Sequence, residues 1–446
     1  MMARSAFDRL AARLAATPGI ADWKLRHRVE RQTQLYVIDD RPEAARVVAA
    51  DRLDVTVYVD RDGGRGASNV TLFPGSPEEW GARLAAAVFR AGLQSNPPFV
   101  LPGPQRYRRV PLADRAIAED AEDRARVMVD RLLRALRRER GVRLSSAEVF
   151  LTTGTTHFRN SRGAEGEAED TVAEVLFVVL AGEGVSGTEA VEAIERRRLA
   201  DLDLDAAAQR AAKFARDSLQ ATAPTPRRSA AVVFSGDALK DGTLSDFWQP
   251  FRFHASGEAA YRKLSRFRPG ELVTPGRIAG EPLGITADPE LRYGTASAPF
   301  DRDGLALRRA PLIEEGRLAR YWTTKEYADL LKVEATGALT NLVVPPGRTA
   351  EAELVRDGPT LQVVAFSWFN PSALTGDFAT EIRLGYERRR GRERPVKGGA
   401  VQGNLFEAFR RATFAREVDW LGSYHGPRSI RCESLAVGEG SSAATR

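Results

Sequence analysis

The sequence predicts an α+β fold in two domains, and three observations lead to this prediction. In the first half, helical periodicity alternates with strand-like segments, which indicates an N-terminal α/β domain with an antiparallel or mixed sheet and long helices. From Ala230 onward, short apolar runs joined by Gly, Asp and Asn turns indicate a β-rich, barrel- or sandwich-like domain with few helices. Between them, residues 221–229 contain two prolines and small polar residues, a composition typical of a linker.

We therefore expect an N-terminal domain at residues 1–220 and a C-terminal domain at residues 230–437. A chain of 446 residues is long enough for each domain to have its own hydrophobic core. Residues 438–446 are rich in Ser, Gly and Ala, and we expect them to be a disordered tail.

Composition excludes several classes of partner. Lys and Arg number 66 against 60 Asp and Glu, a net charge of +6. The arginines are scattered along helices instead of forming a stripe with exposed aromatic residues, so we expect no nucleic-acid partner. No apolar run approaches the roughly 18 residues of a membrane helix, so we expect no membrane association. The N-terminus lacks a signal-peptide core and the single cysteine, Cys432, fits a reducing compartment, which predicts a cytoplasmic protein.

The first half is expected to contain four helices and several short strands. Alternating apolar residues and the Gly63-Gly64 dipeptide predict a hairpin. Pro77 and two following glutamates suit the first turn of a helix. In chain order we expect a helix at 3–16, a strand at 34–39, a hairpin at 53–60 and 68–73, a helix at 77–91, a helix at 116–139, strands at 147–152 and 172–180 joined by a polar loop at 159–170, and a helix at 201–219.

The second half is expected to be mostly strands. The turn dipeptides Asp303-Gly304 and Glu315-Gly316 lie between apolar runs and predict consecutive antiparallel strands, followed by a short helix at 321–331. Further on we expect a buried strand at 361–369, a hairpin of 380–387 with the segment around Pro395, and a helix at 406–415 that follows a turn at Gly403 and an N-cap at Asn404.

The motifs between Ser297 and Leu342 occur in a characteristic order. They are Phe300-Asp-x-x-Gly304, an apolar run with Ile313-x-x-Gly316-x-Leu318, and Thr336-Gly337. This order resembles the C-terminal domain of the TldD/PmbA family, which pairs a metallopeptidase subunit with a related subunit that has lost the metal. The resemblance implies an α/β N-terminal domain, a β-rich C-terminal domain and a dimer that encloses the active cavity.

In the metallopeptidase subunit, the resemblance implies an H-E-x-x-x-H motif in which two histidines bind the metal and the glutamate takes a proton from metal-bound water. The matching window here is Gln249 to His254, just before Tyr261-Arg-Lys. Laid on the motif without gaps, Gln249 replaces the first histidine, Pro250 replaces the general base, and His254 matches the second histidine. We interpret these three as a degenerate metal site, and we expect no catalytic residue and no bound metal in this chain.

Other reactive residues have simpler interpretations. We expect His254 to be a partly buried, hydrogen-bonded histidine rather than a ligand. Glu258, the nearest acid, should face solvent. Cys432 resembles a residue of the family's closing strand, although a nucleophile with His425 remains an alternative. His157 precedes an Asn160–Gly163 turn, which forms either a plain hairpin turn or a loop lining the cavity between subunits.

Two polar segments are candidates for peptide binding. One contains Thr336, Gly337, Thr340 and Asn341, where small residues would leave backbone groups available for an added strand. The second contains Thr375 and Gly376 and resembles a family segment that follows a buried strand. Tight turns are an equal alternative for both segments.

Together these features predict a non-catalytic, TldE/PmbA-like subunit that helps to hold unfolded peptides for proteolysis. Its expected partner is a TldD-like metal-bearing subunit or a second copy of itself, with zinc only in the metal-bearing partner. Two alternatives stay open. One is a stand-alone peptide- or protein-binding module, and the other is an active hydrolase with His254, His425 and Cys432 as an unorthodox metal site.

Overall fold

A computed structural model describes residues 2–184, 187–242, 245–356, 358–389 and 391–438. The helices are α1 (Met2–Ala16), α2 (Trp80–Ala91), α3 (Arg115–Arg137), α4 (Leu204–Gln220), α5 (Gln249–His254), α6 (Gly257–Tyr261), α7 (Lys325–Leu331), α8 (Glu351–Arg356) and α9 (Leu405–Ala408). The strands of the first half are β1 (Asp22–Ile38), β2 (Arg41–Arg61), β3 (Gly64–Leu72), β4 (Val142–Asn160), β5 (Glu165–Ala181) and β6 (Thr188–Arg196).

The second half consists mainly of shorter strands. They are β7 (Arg227–Ser235), β8 (Asp241–Gly242), β9 (Ser245–Asp246), β10 (Ile285–Asp288), β11 (Ala310–Glu314), β12 (Arg317–Leu318), β13 (Asn341–Val343), β14 (Thr360–Phe366), β15 (Asp377–Arg389), β16 (Arg392–Val396), β17 (Ala400–Asn404), β18 (Thr413–Phe414), β19 (Val418–Leu421), β20 (Tyr424–Pro427) and β21 (Ser429–Gly438). The α+β fold class predicted from the sequence is confirmed.

The first half folds around one six-stranded antiparallel sheet in the order β3-β2-β1-β4-β5-β6. Strand β4 shows how its faces are used. Val149 and Leu151 lie in the core beneath α3 and α4, and His157 stacks on Phe7 of α1. Phe158 has the opposite parity and contacts Phe300 of the second half. Because side chains alternate along a strand, the helices cover one face and the C-terminal half packs against the other.

The strands of this sheet are much longer than predicted. The segment expected at 34–39 is part of the 17-residue β1, and the polar loop expected at 159–170 is wrong. Strands β4 and β5 continue to Asn160 and from Glu165, so that only residues 161–164 form the turn. Many side chains in these stretches are polar and pair across neighbouring strands. The sequence there lacks the alternation of apolar and polar residues from which a strand is predicted. The strand β6 was not predicted.

The outer side of β2 is only half paired. Strand β1 pairs with β2 from Arg41 to Tyr58, whereas β3 pairs only with residues 53–61. In the part of the chain that the structure describes, residues 41–52 have no strand on their outer side. Val47 and Val48 in this run are each more than 40% exposed.

The second half contains two larger sheets that share one core. Strands β14, β7, β21, β17 and β15 form a closed, barrel-like ring because β14 also pairs with β15, and β16 extends it. The other sheet has the order β12-β11-β10-β13-β20-β19. Phe247, Trp248 and Phe251, at the start of α5, lie in the core between them.

Turn predictions in this half had mixed outcomes. Glu315-Gly316 is the hairpin turn between β11 and β12, with positive φ at both residues. Asp303-Gly304 is also a turn, but a single bridge between Phe300 and Ala306 flanks it, so the predicted strands there are wrong. The helix predicted at 321–331 begins only at Lys325.

The region around Asn404 also departs from the prediction. The Asn404 side chain caps α9 by accepting a hydrogen bond from the Glu407 N–H at 3.2 Å, as predicted. Gly403, however, lies in strand β17 rather than in a turn. The helix expected at 406–415 ends at Ala408, and a 3₁₀ turn at Phe409–Arg411 leads into β18.

The segment interpreted as a linker lies against the barrel-like ring. Thr222 forms a bridge with Val396, and the Thr225 N–H donates to Glu387 Oε1 at 2.9 Å. At the C-terminus, the expected disordered tail lies outside the described residues beyond Gly438. None of the described helices combines the length and apolarity needed to cross a membrane.

Candidate functional site

The window from Gln249 to His254 forms the short helix α5. Pro250 occupies its first turn, where a missing N–H costs nothing. After Ala255, the Ser256 side chain caps α6 by accepting from the Ala259 N–H. The two helices therefore follow one another with a sharp break between them.

His254 is completely buried and both of its ring nitrogens are occupied. Nδ1 accepts from the Arg266 N–H at 3.0 Å, so Nε2 carries the proton and donates to the Leu374 carbonyl at 2.9 Å. Phe267 and Phe406 surround the ring. Burial lowers the pKa of His254 from its usual value, even though the hydrogen bond to Leu374 opposes this. The imidazole is thus a neutral packing group with no lone pair left for a metal.

The residues at this position do not fit a zinc site. Gln249 offers only an amide, Pro250 is buried and has no proton acceptor, and His254 is saturated. Glu258 is exposed and pairs with Arg262 at 2.9 Å, so it does not reach into the core. Among the residues described, no three or more His, Cys, Asp or Glu side chains lie close enough to hold a metal ion.

A cavity of about 420 Å³ opens beside α5 and α6. Gln249 and Phe253 line one side, and Trp322 and Leu339 line the other. The Trp322 indole N–H donates to the Arg252 carbonyl at 2.9 Å, which fixes this wall to α5. The cavity therefore has an apolar floor, and Arg252, Glu258 and Arg262 also line it.

Backbone contact between α6 and the segment around Trp322 is very close. The Gly257 N–H donates to the Trp322 carbonyl at 2.8 Å. A Cβ at Gly257 would lie 2.3 Å from Thr323 Cγ2, so only glycine fits without a shift of the neighbouring residues.

The first predicted peptide-binding segment lies against the same wall. The Thr336 and Gly337 N–H groups both donate to the Thr323 carbonyl, at 3.2 and 2.8 Å. Thr340 is buried, and its hydroxyl has no partner among the described residues. Asn341 is buried in β13, between β10 and β20, and its amide donates to Asp288 O and Ser297 Oγ. The N–H groups of Thr336 and Gly337 and the side-chain amide of Asn341 are thus already paired.

The second predicted segment forms a closed turn. The Gly376 N–H donates to the Ser372 carbonyl at 2.8 Å, and the Thr375 carbonyl accepts from Asn404 Nδ2 at 2.7 Å. Leu374, one residue earlier, is the acceptor for His254. The structure therefore brings Thr375 and Gly376 next to His254, while Leu339 and Gln249 meet at the cavity. Peptide binding by the two predicted segments stays a prediction for all six residues: Thr336, Gly337, Thr340, Asn341, Thr375 and Gly376.

The remaining reactive residues lie apart from this cavity. Cys432 is fully buried in β21, and burial raises the pKa of its thiol far above the usual value. His425 of β20 packs on Trp420 of β19, and burial lowers the pKa of His425. His157 lies near the end of β4, pairs with Glu165 at 3.0 Å and has its ring against Phe7 of α1. The turn that follows Asn160 joins β4 to β5, as expected for the plain hairpin turn.

Sequence reasoning missed one buried acid. Asp301 Oδ1 accepts from the Asp303 and Leu305 N–H groups, whereas Oδ2 is buried and has no hydrogen-bond partner among the described residues. Burial, together with the nearby Asp303 charge, raises the pKa of Asp301 to about 6. The Phe-Asp-x-x-Gly motif was visible in the sequence, but it carried no sign that this carboxylate would be desolvated.

Comparisons with known proteins agree with this architecture. Residues 228–439 match the family model described as the PmbA/TldA metallopeptidase C-terminal domain. An uncharacterized protein of Methanocaldococcus jannaschii is 25% identical over 319 residues, 68% of this chain and 73% of that protein. The metalloprotease PmbA of Escherichia coli O157:H7 is 28% identical over 189 residues, which cover 41% of this chain and 40% of PmbA.

Solved structures extend the similarity over the whole chain. TldE of Thermococcus kodakarensis superposes with a TM-score of 0.77 at 17% identity, covering 98% of this chain and 100% of that one. A proposed DNA gyrase modulator of Thermotoga maritima gives a TM-score of 0.80 at 18% identity, covering 97% and 99%. At these identities the superpositions establish a shared fold.

Proposed function

We propose that the chain, whose residues 228–439 match the PmbA/TldA C-terminal-domain model, belongs to the TldD/PmbA family and is a non-catalytic, TldE/PmbA-like subunit of a cytoplasmic, TldD-type metallopeptidase complex. Its role is to form part of the chamber that holds unfolded peptides, while zinc and the general base belong to a TldD-like partner. It contacts neither nucleic acid nor membrane in this role.

The observation that supports this proposal best is the state of His254. The one histidine that matches the metal motif donates to Leu374 and accepts from Arg266, and it is wholly buried among aromatic rings. A metal would have to displace one of these backbone bonds, which costs about 1–3 kcal/mol for each buried group left unpaired. Pro250 matches the position at which the motif has its general base, and proline cannot accept a proton, which supports the proposal that the hydrolytic step belongs to the partner.

The cavity beside α5 supports the proposed role in the chamber. Its lining is apolar at Phe253, Leu264, Trp322 and Leu339, with arginines at Arg252 and Arg262. An apolar cavity with a few charged groups suits the side chain of an extended peptide, whose backbone polar groups stay hydrated or paired elsewhere. We place the peptide, on its way to a partner's metal, along this wall.

Co-purification tests the proposal. The chain is co-expressed with a tagged TldD-like chain from the same genome, and we expect a stable complex that cleaves an unfolded peptide. The chain alone should hold less than 0.1 zinc per chain by mass spectrometry and should cleave nothing. One tightly held zinc per chain, or cleavage by the chain alone, would contradict the proposal.

Two variants sharpen this test. Changing Leu339→Arg places a charge in the cavity, and we expect it to raise KM for peptide in the complex several-fold without preventing complex formation. As a matched control, Leu93→Arg introduces the same charge at a leucine that is already 72% exposed on the N-terminal half. If both variants behave alike, the cavity has no part in peptide handling.

A further inference from the structure

A second cavity lies where the N-terminal sheet meets the barrel-like ring, and none of its lining residues lines the cavity beside α5. It has a volume of about 340 Å³. Val191 of β6 and Phe214 of α4 line it from the first half, and Phe366 of β14 and Leu384 of β15 line it from the second. This volume corresponds to roughly 11 water molecules at about 30 Å³ each, so a ligand of about a dozen non-hydrogen atoms would fit.

Four charged residues line this largely apolar space, namely Glu189, Asp237, Lys240 and Arg383. Asp237 lies in the 3₁₀ turn Gly236–Leu239, and Lys240 follows it directly. Residues three apart in a 3₁₀ turn lie on the same side, so both side chains can face the cavity together. The two charges form no ion pair within 4 Å in the described part of the chain.

The carboxylate of Asp237 has no hydrogen-bond partner among the described residues. Burial raises the pKa of this carboxylate above the usual value. The ammonium of Lys240 makes one described hydrogen bond, to the Ala193 carbonyl at 3.0 Å. Asp237 is partly buried, so its carboxylate loses part of its hydration without gaining a hydrogen-bond donor from the described residues. This arrangement therefore favours a ligand that supplies the missing donor.

The neighbouring charges are already neutralised. Glu192 forms an ion pair with Arg210, and Glu189 forms one with Arg383 at 2.8 Å across the two halves. Among the described residues that line this cavity, Asp237 and Lys240 are consequently the charged groups without an ion-pair partner.

We propose that this cavity binds a small zwitterion with an apolar body, such as a free apolar α-amino acid. Its ammonium group donates to Asp237, its carboxylate accepts from Lys240, and its side chain packs between Phe214 and Phe366. An amine without a carboxylate would leave Lys240 without its counter-charge. A carboxylate without an amine would place a second negative charge beside Asp237. The site does not depend on whether the chain serves as a peptidase subunit.

A matched set of ligands tests the proposed chemistry. The probes are L-phenylalanine, 2-phenylethylamine and 3-phenylpropionate, which share the ring and differ in their charges, together with L-serine as a polar zwitterion. Using titration calorimetry on the full chain, we expect L-phenylalanine to bind at least tenfold more tightly than the other three. If 2-phenylethylamine binds as tightly as L-phenylalanine, or if none of the probes shows saturable binding, the proposal is wrong.

Variants assign the binding to this cavity. We expect Asp237→Asn to weaken L-phenylalanine binding at least tenfold, and Ala190→Trp to abolish it by filling the cavity. The control Asp205→Asn removes an equal charge at the exposed start of α4 and should leave affinity within twofold. Circular dichroism and thermal unfolding show whether each variant folds. Unchanged affinity in folded Asp237→Asn and Ala190→Trp proteins would overturn the assignment.

Discussion

Lys24 of β1 and Asp303 of the Phe-Asp-x-x-Gly turn lie 2.5 Å apart, joining the two halves of the chain. Both side chains are largely buried, at 20% and 12% exposure. Burial would lower the pKa of Lys24, but Asp303 and Tyr58 together outweigh this effect and raise the pKa above the usual value. Lys24 therefore keeps its charge at neutral pH.

Removing one partner should be costly. We expect Lys24→Met to lower the free energy of unfolding by about 2–4 kcal/mol, because Asp303 is left charged and poorly solvated. The double variant Lys24→Met/Asp303→Leu should recover a large part of this loss. Urea unfolding measures both, with Lys397→Met at an exposed position as the control. Equal stability of Lys24→Met and wild-type protein would contradict this interpretation.

Asp301 should give the protein a pH-dependent weakness. Its pKa in the folded protein is about 6, against 3.8 for an unperturbed aspartate. The folded state therefore binds more protons than the unfolded state between these values, and stability falls as the pH rises from 4 to 6. Above pH 6 the free energy of unfolding stays lowered by the full cost of burying the ionised Asp301 carboxylate.

The variant Asp301→Asn removes this titration. We expect it to be more stable than wild-type protein at pH 8, by at most about 3 kcal/mol, and the difference should shrink as the pH approaches 4. Urea titrations at pH 4.5, 6 and 8 measure the difference directly. A difference that stays constant with pH would exclude Asp301 as its source.

His254 should act in the opposite direction. Burial holds its folded pKa below 6.5, so the unfolded state binds the extra proton first as the pH falls. Its contribution to stability is complete above pH 6.5 and is lost as the pH falls from 6.5 through the lower pKa of the folded state. We expect His254→Phe to lose about 2–4 kcal/mol at pH 8, because Leu374 O and Arg266 N lose their partner.

The same variant should lose less at low pH, since it cannot be protonated. Thermal unfolding of both proteins between pH 5 and 8 measures this convergence. If wild-type and His254→Phe proteins keep a constant difference over the range, His254 is not held neutral by its surroundings.

Gly257 should tolerate no side chain. We expect Gly257→Ala to destabilise the protein by about 1–3 kcal/mol, since the new Cβ would overlap Thr323 Cγ2. Adding Thr323→Ser removes that methyl group and should restore much of the loss. Gly75→Ala, where a Cβ meets no atom within 4 Å, serves as the matched control in the same melting experiment.

The sequence predicted elements well where one face was apolar and poorly where polar pairs took its place. The prediction for α3 lies within two residues of both its ends, and the prediction for α2 matches its last residue, Ala91, and starts three residues before Trp80. Both helices have continuous apolar stripes. Strands β1 and β5 run through Gln, Thr and Glu, whose cross-strand partners became visible only in the folded sheet. No local pattern could have given their length.

At the candidate metal site, the sequence alone predicted that a metal ligand and a general base are missing. The residue types decide this, because Gln249 stands at the first histidine of the motif and Pro250 at its glutamate. The saturation of His254 depends on Leu374 and Arg266, which lie 120 and 12 residues away. The lack of a hydrogen-bond partner for Asp301 Oδ2 likewise results from long-range packing. A sequence motif identifies such residues, but their hydrogen-bond partners depend on the tertiary fold.

The half-paired outer side of β2 affects how the protein behaves in concentrated solution. Twelve consecutive residues, Arg41–Arg52, present unpaired backbone groups, and an extended segment of another molecule gains hydrogen bonds there without anything having to unfold. Pro42, Arg46 and Arg52 restrain such growth, since proline cannot donate and like charges repel. Self-association should therefore increase with salt, which screens these arginines while leaving the backbone groups of the strand exposed.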